Sequence, residues 1–182
     1  MKNLPNILTV FRIVSIPLLV FVILSSAKNL NFFAVILFIA IAASDYLDGY
    51  FARKMKLESD FGKMLDPIAD KFFIISVIIC LMIKGNIANF SLIPAFVIVF
   101  REIFISGLRE YYAASNSNST IDVSYLGKMK TAVQMLSLFL ILCSPIMPQL
   151  NISIMNIGLI ILWIAMILSI VSGYQYFKRI FN

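Results

Sequence analysis

Residues 45–70 read DYLDGYFARKMKLESDFGKMLDPIAD and place four aspartates, Asp45, Asp48, Asp66 and Asp70, beside strongly apolar segments. A carboxylate at membrane depth costs roughly 2.5–3.5 kcal/mol on insertion scales, so such a residue is by default a functional one. Four carboxylates at matching spacing predict a cation site. The apolar segments on either side of them predict where the helices run.

The composition indicates an integral membrane protein. The chain has 182 residues, 61% of them hydrophobic and 13% charged, and its mean hydropathy is +0.96. A soluble domain of this size could not bury so much apolar surface, and we expect a single membrane-embedded domain over residues 1–182. The chain has no histidine, so a general base must be a carboxylate, lysine, tyrosine or metal-bound water. Cys80 and Cys143 lack metal-ligand spacing and are expected to be buried apolar residues.

The charge-poor runs predict an all-α fold with six transmembrane helices, because a helix needs about 20 apolar residues to cross the hydrocarbon core. The uncharged stretch Thr131–Phe177 is too long for one span and is divided by the turn around Pro145 and Pro148. Residues 4–11 form either a short interfacial helix or the start of the first span. The first apolar run lacks a cleavage site and is expected to be retained. The six predicted spans are roughly 10–28, 31–54, 61–84, 90–114, 125–145 and 152–177.

Basic residues predict the orientation. Most lysines and arginines fall at one set of span ends, and only Lys28 and Lys84 mark the other side. The positive-inside rule then places both termini and the loops 53–63 and 112–127 in the cytoplasm, in a multi-pass protein of the cell (inner) membrane. The net charge of +6 suits an anionic inner leaflet, and little favours nucleic-acid binding.

Helix geometry brings the aspartates together. Counted from the polar loop between the second and third spans, Asp48 pairs in depth with Asp66, and Asp45 pairs with Asp70, roughly 12 Å from the loop at about 1.5 Å per residue. Each helix presents its carboxylates on one stripe. Facing carboxylates ionise together only if cations compensate them, and oxygen ligands favour Mg²⁺, Mn²⁺ or Ca²⁺ over zinc.

Small residues beside the carboxylates leave room for a ligand. Gly49 and Ala52 remove side-chain bulk, and Arg53 could hold a phosphate. Two ions about 3.5–4 Å apart would clamp phosphoryl oxygens during a displacement. The competing interpretation treats these residues as helix caps and ion pairs at a membrane boundary, with glycines for packing. That interpretation suits a single Asp-Gly pair better than the whole constellation.

This stretch resembles the signature of the CDP-alcohol phosphotransferase family, D-x-x-D-G-x-x-A-R-x8-G-x-x-x-D-x-x-x-D, at every defined position. The resemblance extends over the entire chain. It implies the family's membrane fold and a homodimeric enzyme that moves a substituted phosphoryl group from a CDP-linked donor onto an alcohol, with release of CMP. It also implies that Asp45, Asp48 and Asp66 bind divalent metal, Mg²⁺ or Mn²⁺, and that Asp70 serves both as a metal ligand and as the general base.

Three further motifs look like those of bacterial phosphatidylglycerophosphate synthases, which transfer phosphatidyl from CDP-diacylglycerol to sn-glycerol 3-phosphate. They are Asn6-x-x-Thr9-x-x-Arg12, Arg101-Glu102-x-x-x-Ser106-Gly107-Leu108-Arg109-Glu110 and Gly127-Lys128-x-Lys130-Thr131. On this basis the acceptor phosphate is expected to bind Arg101, Arg109, Lys128 and Lys130. The CDP moiety is expected to bind Asn6, Thr9, Arg12, Asp48, Gly49, Ala52, Arg53 and Gly62.

Alternatives remain for the basic residues and for the activity. Arg101 and Glu102 could simply satisfy each other, and Lys128, Lys130 and Arg12 could be membrane anchors. Within the same chemistry, the acceptor could be inositol phosphate, serine or a phospholipid. A cation or proton transporter would also use intramembrane aspartates, but it leaves Gly49, Ala52 and Gly62 without a role.

Overall fold

The structure is a computed structural model. It describes the backbone of residues 4–25, 27–55, 60–115 and 125–181 and, within these ranges, the side chains of residues 10–25, 27, 29–44, 65, 67–112 and 125–180. These residues form six α-helices and two short 3₁₀ turns, at Asn89–Ser91 and Ser144–Ile146. The α-helices are α1 Leu4–Leu24, α2 Lys28–Met55, α3 Asp60–Ile83, α4 Leu92–Ser115, α5 Tyr125–Cys143 and α6 Asn151–Phe181.

The all-α prediction is confirmed, and each predicted span falls on one helix. The largest difference is at the N-terminus, where residues 4–11 form the first turns of a continuous α1. Among the described residues, three segments are long and apolar enough to cross a membrane: Asn89–Tyr112, Tyr125–Ile146 and Asn151–Ile180. Val10–Leu24 and Asn29–Ser44 are shorter apolar helical segments, so the count of six spans stays a prediction.

The chain divides into two compact units, and the expectation of a single domain stays a prediction. The first unit comprises residues 1–84 and 142–151. In this unit α1 packs against both α2 and α3, and Phe38 of α2 lies against Phe73 of α3 with ring centroids 5.1 Å apart. Lys84 donates to the Ser25 carbonyl at 3.4 Å and to Asn31 Oδ1 at 3.5 Å, so it ties the end of α3 to the α1–α2 connection.

The second unit comprises residues 85–141 and 152–182, with α4, most of α5 and α6. Its fully buried apolar side chains include Ile98, Leu138 and Leu162. Ser137 of α5 donates to the Gly158 carbonyl of α6 at 2.8 Å. A Cβ added at Gly158 would lie 2.8 Å from Ile141 Cγ1 and 3.2 Å from the Ile141 backbone nitrogen, so glycine is what lets α5 and α6 approach here.

The polarity of α6 is inverted relative to a helix of a water-soluble protein. Its buried side carries small and polar residues, including Ala165, Ser169 and Ser172, whereas isoleucines such as Ile160 and Ile167 are exposed. Lipid solvates isoleucine as well as a protein interior does, so helices in membranes associate through small residues and polar contacts. This pattern supports a membrane environment for α6.

We expect Gly158→Ala to destabilise the second unit, because the added methyl group meets Ile141 at less than contact distance. Overpacking of this kind costs about 1–3 kcal/mol and should lower the Tm in detergent by roughly 3–8 °C. Gly107→Ala is the matched control, since nothing lies within 4 Å of a Cβ at that position. Equal melting temperatures for the two variants would contradict the close approach.

Candidate functional site

The aspartate motif occupies the C-terminal end of α2 and the N-terminal end of α3. Asp48 lies seven residues before the end of α2 at Met55, and Asp66 lies six residues after the start of α3 at Asp60. Asp45 and Asp70 each lie ten residues from the same helix ends, about 15 Å along the helix axis. The helix bounds thus place these aspartates at similar distances from the two helix ends, and the convergence of their carboxylates stays a prediction.

An ion pair joins Arg12 of α1 to Asp70 of α3. Arg12 Nη1 donates to Asp70 Oδ1 at 2.5 Å, across 58 residues of sequence. The Arg12 side chain is 1% exposed, whereas that of Asp70 is 45% exposed. The guanidinium is thus enclosed by the protein, while the carboxylate it holds keeps an accessible side. Sequence reasoning assigned these two residues to different roles, and the structure brings them into direct contact.

Most of the other predicted residues of this region lie outside the described side chains. These are Asn6, Thr9, Asp45, Asp48, Gly49, Ala52, Arg53, Gly62 and Asp66. Among the described side chains no group of three or more acidic, cysteine or histidine residues could hold a metal ion, and Asp70 is the one motif aspartate in that set. Its accessible carboxylate, on a motif that offers only oxygen donors, fits a hard divalent cation.

A second charged cluster lies inside the second unit. Lys130 of α5 donates to Glu102 Oε1 of α4, and their side chains are 5% and 9% exposed. The other carboxylate oxygen, Glu102 Oε2, lies 3.7 Å from Arg101 Nη1. The carboxylate of Glu102 therefore stands between two cations that come from different helices.

Arg101 extends this cluster to α6. Its Nε donates to the Ser169 carbonyl at 3.2 Å and its Nη2 donates to Ser172 Oγ at 2.9 Å. A Cβ at Gly173 would lie 3.5 Å from Arg101 Nε, so the guanidinium runs directly along the surface of α6. The charged side chains of α4 and α5 are thus linked with polar groups of α6 in one chain of contacts. We call it the α4–α6 cluster: Arg101, Glu102, Lys130, Ser169 and Ser172.

Arg109 and Lys128 are placed differently from the two buried cations. Arg109 is exposed, and its Cζ lies 5.8 Å from the ring centroid of Tyr176, one turn beyond Ser172 on α6. Lys128 is exposed two residues before Lys130, about 200° around α5. Of the four predicted acceptor-phosphate residues, Arg101 and Arg109 therefore contact neighbouring turns of α6, Lys130 contacts Glu102 of α4, and Lys128 lies on a different side of α5 from Lys130.

Several polar residues of this region were not identified as candidates from the sequence. Gln134 and Tyr176, with Ser169, carry buried side-chain N or O atoms that have no hydrogen-bond partner among the described residues. Ser169, Ser172 and Tyr176 recur at spacings of three and four in an otherwise uncharged stretch, and Gln134 follows Lys130 by one turn. That helical spacing of polar residues is the signal that could have identified them.

Comparison with known proteins places the chain in a family of enzymes. The model of the CDP-alcohol phosphatidyltransferase family matches residues 2–171. A relative from Rickettsia typhi is 42% identical over 179 residues, which cover 98% of this chain and 97% of that protein. A relative from Rickettsia felis is 43% identical over 178 residues (97% and 94% covered), and one from Haemophilus influenzae is 36% identical over 176 residues (97% and 92% covered). All three bear the name CDP-diacylglycerol--glycerol-3-phosphate 3-phosphatidyltransferase. With its complete aspartate motif on α2 and α3, the chain belongs to the CDP-alcohol phosphatidyltransferase family.

Proposed function

We propose that the protein transfers a phosphatidyl group from CDP-diacylglycerol to sn-glycerol 3-phosphate, yielding phosphatidylglycerophosphate and CMP in the synthesis of anionic phospholipids. The observation that carries the reaction class is the position of the complete aspartate motif at the C-terminal end of α2 and the N-terminal end of α3. The choice of acceptor is supported by the names of relatives that match nearly the whole chain.

The family is generally dependent on divalent metal. We propose that Asp45, Asp48, Asp66 and Asp70 together hold Mg²⁺ or Mn²⁺, with two ions per site. A bound metal pair would neutralise the pyrophosphate and stabilise CMP as it leaves. We propose that Asn6, Thr9, Arg12, Gly49, Ala52, Arg53 and Gly62 contribute with Asp48 to CDP binding.

Asp70 is the proposed general base. Its carboxylate is accessible, and the absence of histidine from the sequence leaves few other candidates. Asp70 takes the proton of the acceptor hydroxyl as that oxygen attacks the phosphorus attached to diacylglycerol. The bond from this phosphorus to the bridging pyrophosphate oxygen breaks, and CMP leaves with the electron pair. Arg12 Nη1 donates to Asp70 Oδ1 and so fixes the orientation of this carboxylate.

The acceptor phosphate is proposed to bind the basic residues of the second unit. Arg109 is exposed and lies against Tyr176 of α6, and the guanidinium of Arg101 lies along α6 as well. A guanidinium presents two N–H donors side by side, which matches the geometry of a phosphate. Lys130 contributes positive charge from its buried position on α5, and Lys128 contributes positive charge from the exposed side of the same helix.

The proposed setting is the inner membrane. The apolar helices support a membrane-embedded protein, and the distribution of basic residues supports a site and termini that face the cytoplasm. A homodimer is proposed from the family resemblance.

An acceptor panel tests the proposed function. Purified protein with CDP-diacylglycerol and Mg²⁺ or Mn²⁺ should release CMP when glycerol 3-phosphate is added. Inositol phosphate, serine and a phospholipid are the competing acceptors. Release of CMP with one of these acceptors, and none with glycerol 3-phosphate, would overturn the proposal that glycerol 3-phosphate is the acceptor. Cation flux in liposomes without nucleotide would instead favour a transporter.

Asp70→Asn should lower kcat by about 100-fold or more, because an amide cannot accept the hydroxyl proton. Binding of CDP-diacylglycerol should be largely retained, since three other motif aspartates remain. Steady-state kinetics and a direct binding measurement with the same preparation separate the two effects. Near-normal turnover of this variant would contradict the role of Asp70 as the general base.

Arg12→Gln should lower kcat roughly tenfold while raising the KM for CDP-diacylglycerol less, because the buried guanidinium contacts Asp70. Arg12→Lys is the charge-conserving comparison and should recover part of kcat. The opposite pattern, a raised KM with kcat intact, would mean that Arg12 acts chiefly as a nucleotide ligand.

Arg109→Ala should raise the KM for glycerol 3-phosphate roughly tenfold, the loss expected for a hydrogen bond between charged groups. The KM for CDP-diacylglycerol should change much less. Lys178→Ala, which removes an exposed basic residue near the end of α6, is the control for general surface charge. Equal effects on both substrates would argue against an acceptor role for Arg109.

A further inference from the structure

The α4–α6 cluster contains one carboxylate, and that carboxylate bridges two cations. Glu102 Oε1 accepts from Lys130 of α5, and Glu102 Oε2 lies 3.7 Å from Arg101 of α4. Arg101 then continues to the Ser169 carbonyl and the Ser172 hydroxyl of α6. Because each contact constrains the next, the direction of the Arg101 guanidinium depends on Glu102 from one side and on α6 from the other.

We propose that Glu102 is a positioning residue for binding of the phosphorylated acceptor. It fixes Arg101 and Lys130 in orientations that suit the acceptor phosphate, and it does so without contacting the substrate. The proposal rests on the proposed function of this protein as a transferase that uses glycerol 3-phosphate. The proposal assigns a carboxylate to an anion-binding site, although a carboxylate by itself would repel the anion.

The charge of the cluster, taken together with the neighbouring Arg109, matches a phosphomonoester. Arg101 and Lys130 of the cluster and Arg109 beside it contribute three positive charges, and Glu102 contributes one negative charge, which leaves a net charge of two positive. A phosphomonoester carries about −1.5 to −2 at neutral pH. Without Glu102, Lys130 would be a buried cation with no carboxylate partner in the cluster, a costly arrangement in an apolar bundle.

Helix geometry connects Glu102 with Arg109, the exposed arginine beside the cluster. Arg109 lies seven residues after Glu102, which returns it to within about 20° of the same face of α4. Both arginines of α4 lie against one stretch of α6, Arg101 at Ser172 and Arg109 at Tyr176. An anion that enters beside Arg109 would therefore meet Arg101 about one turn away along the same stretch of α6, in the orientation that Glu102 maintains.

Glu102→Gln tests the proposal through the direction in which it changes the KM for glycerol 3-phosphate. A role in positioning predicts that the KM for glycerol 3-phosphate rises about tenfold, while kcat and the KM for CDP-diacylglycerol stay within about twofold. A purely electrostatic role predicts the reverse, because removal of the carboxylate makes the site more positive and should lower that KM. A purely structural pair predicts a lower Tm with both KM values unchanged. Either of the last two results would overturn the proposal.

Matched variants keep the test decisive. Glu102→Asp retains the charge and should restore the KM for glycerol 3-phosphate to within about threefold of wild type. Glu110→Gln makes the same change at an exposed position of α4 and should leave all parameters unchanged. If Glu102→Gln does not fold, the double variant Glu102→Gln, Lys130→Met removes both charges of the buried pair, and a normal KM for glycerol 3-phosphate in it would overturn the proposal. Failure of wild-type protein to use glycerol 3-phosphate would instead refute the proposed function.

Discussion

The structure depends on pairing charges that lie within apolar helices. An unpaired ion in such surroundings is costly, so each buried charge must find a partner from another helix. Arg12 meets Asp70 across 58 residues and Lys130 meets Glu102 across 28 residues. Apolar contacts alone say little about which sides of two membrane helices should face each other, whereas these pairs admit few arrangements. They therefore constrain how α1 meets α3 and how α4 meets α5.

The two pairs differ in a way that matters for chemistry. Both partners of the Glu102–Lys130 pair are buried, so their contact is shielded from bulk water. In the Arg12–Asp70 pair only the arginine is enclosed. The enclosed guanidinium of Arg12 thus holds the Asp70 carboxylate from the protein side, and the exposed part of that carboxylate remains open to a metal ion or to a proton donor. That asymmetry suits a carboxylate with a catalytic role better than a carboxylate that serves only to join helices.

Local features of the sequence predicted the helices well. The uncharged runs are as long as a span, and the turn-forming prolines divide the last two, so the helix positions could be predicted without knowledge of any contact. The aspartate motif was likewise predicted to fall on the second and third helices, and it does, although the mutual facing of its carboxylates stays a prediction. The partners of the basic residues could not be predicted in this way. Periodicity assigns Lys130 and Arg101 to faces of their helices, but it does not say that Glu102 binds both or that Ser172 lies opposite Arg101. Side chains of most motif residues lie outside the described part of the chain, so their roles stay predictions.

The inverted polarity of α6 has a consequence for how the sequence can diverge. On its exposed side one isoleucine can be replaced by another large apolar residue with little effect, because lipid imposes no particular shape. On its buried side Gly158 meets Ile141 at contact distance and Ser172 holds Arg101, so volume and hydrogen bonding are both restricted. Substitutions between this chain and its relatives should therefore accumulate at the isoleucine positions. In this helix, unlike in a soluble protein, the large hydrophobic residues should be the variable ones and the small polar residues the constant ones.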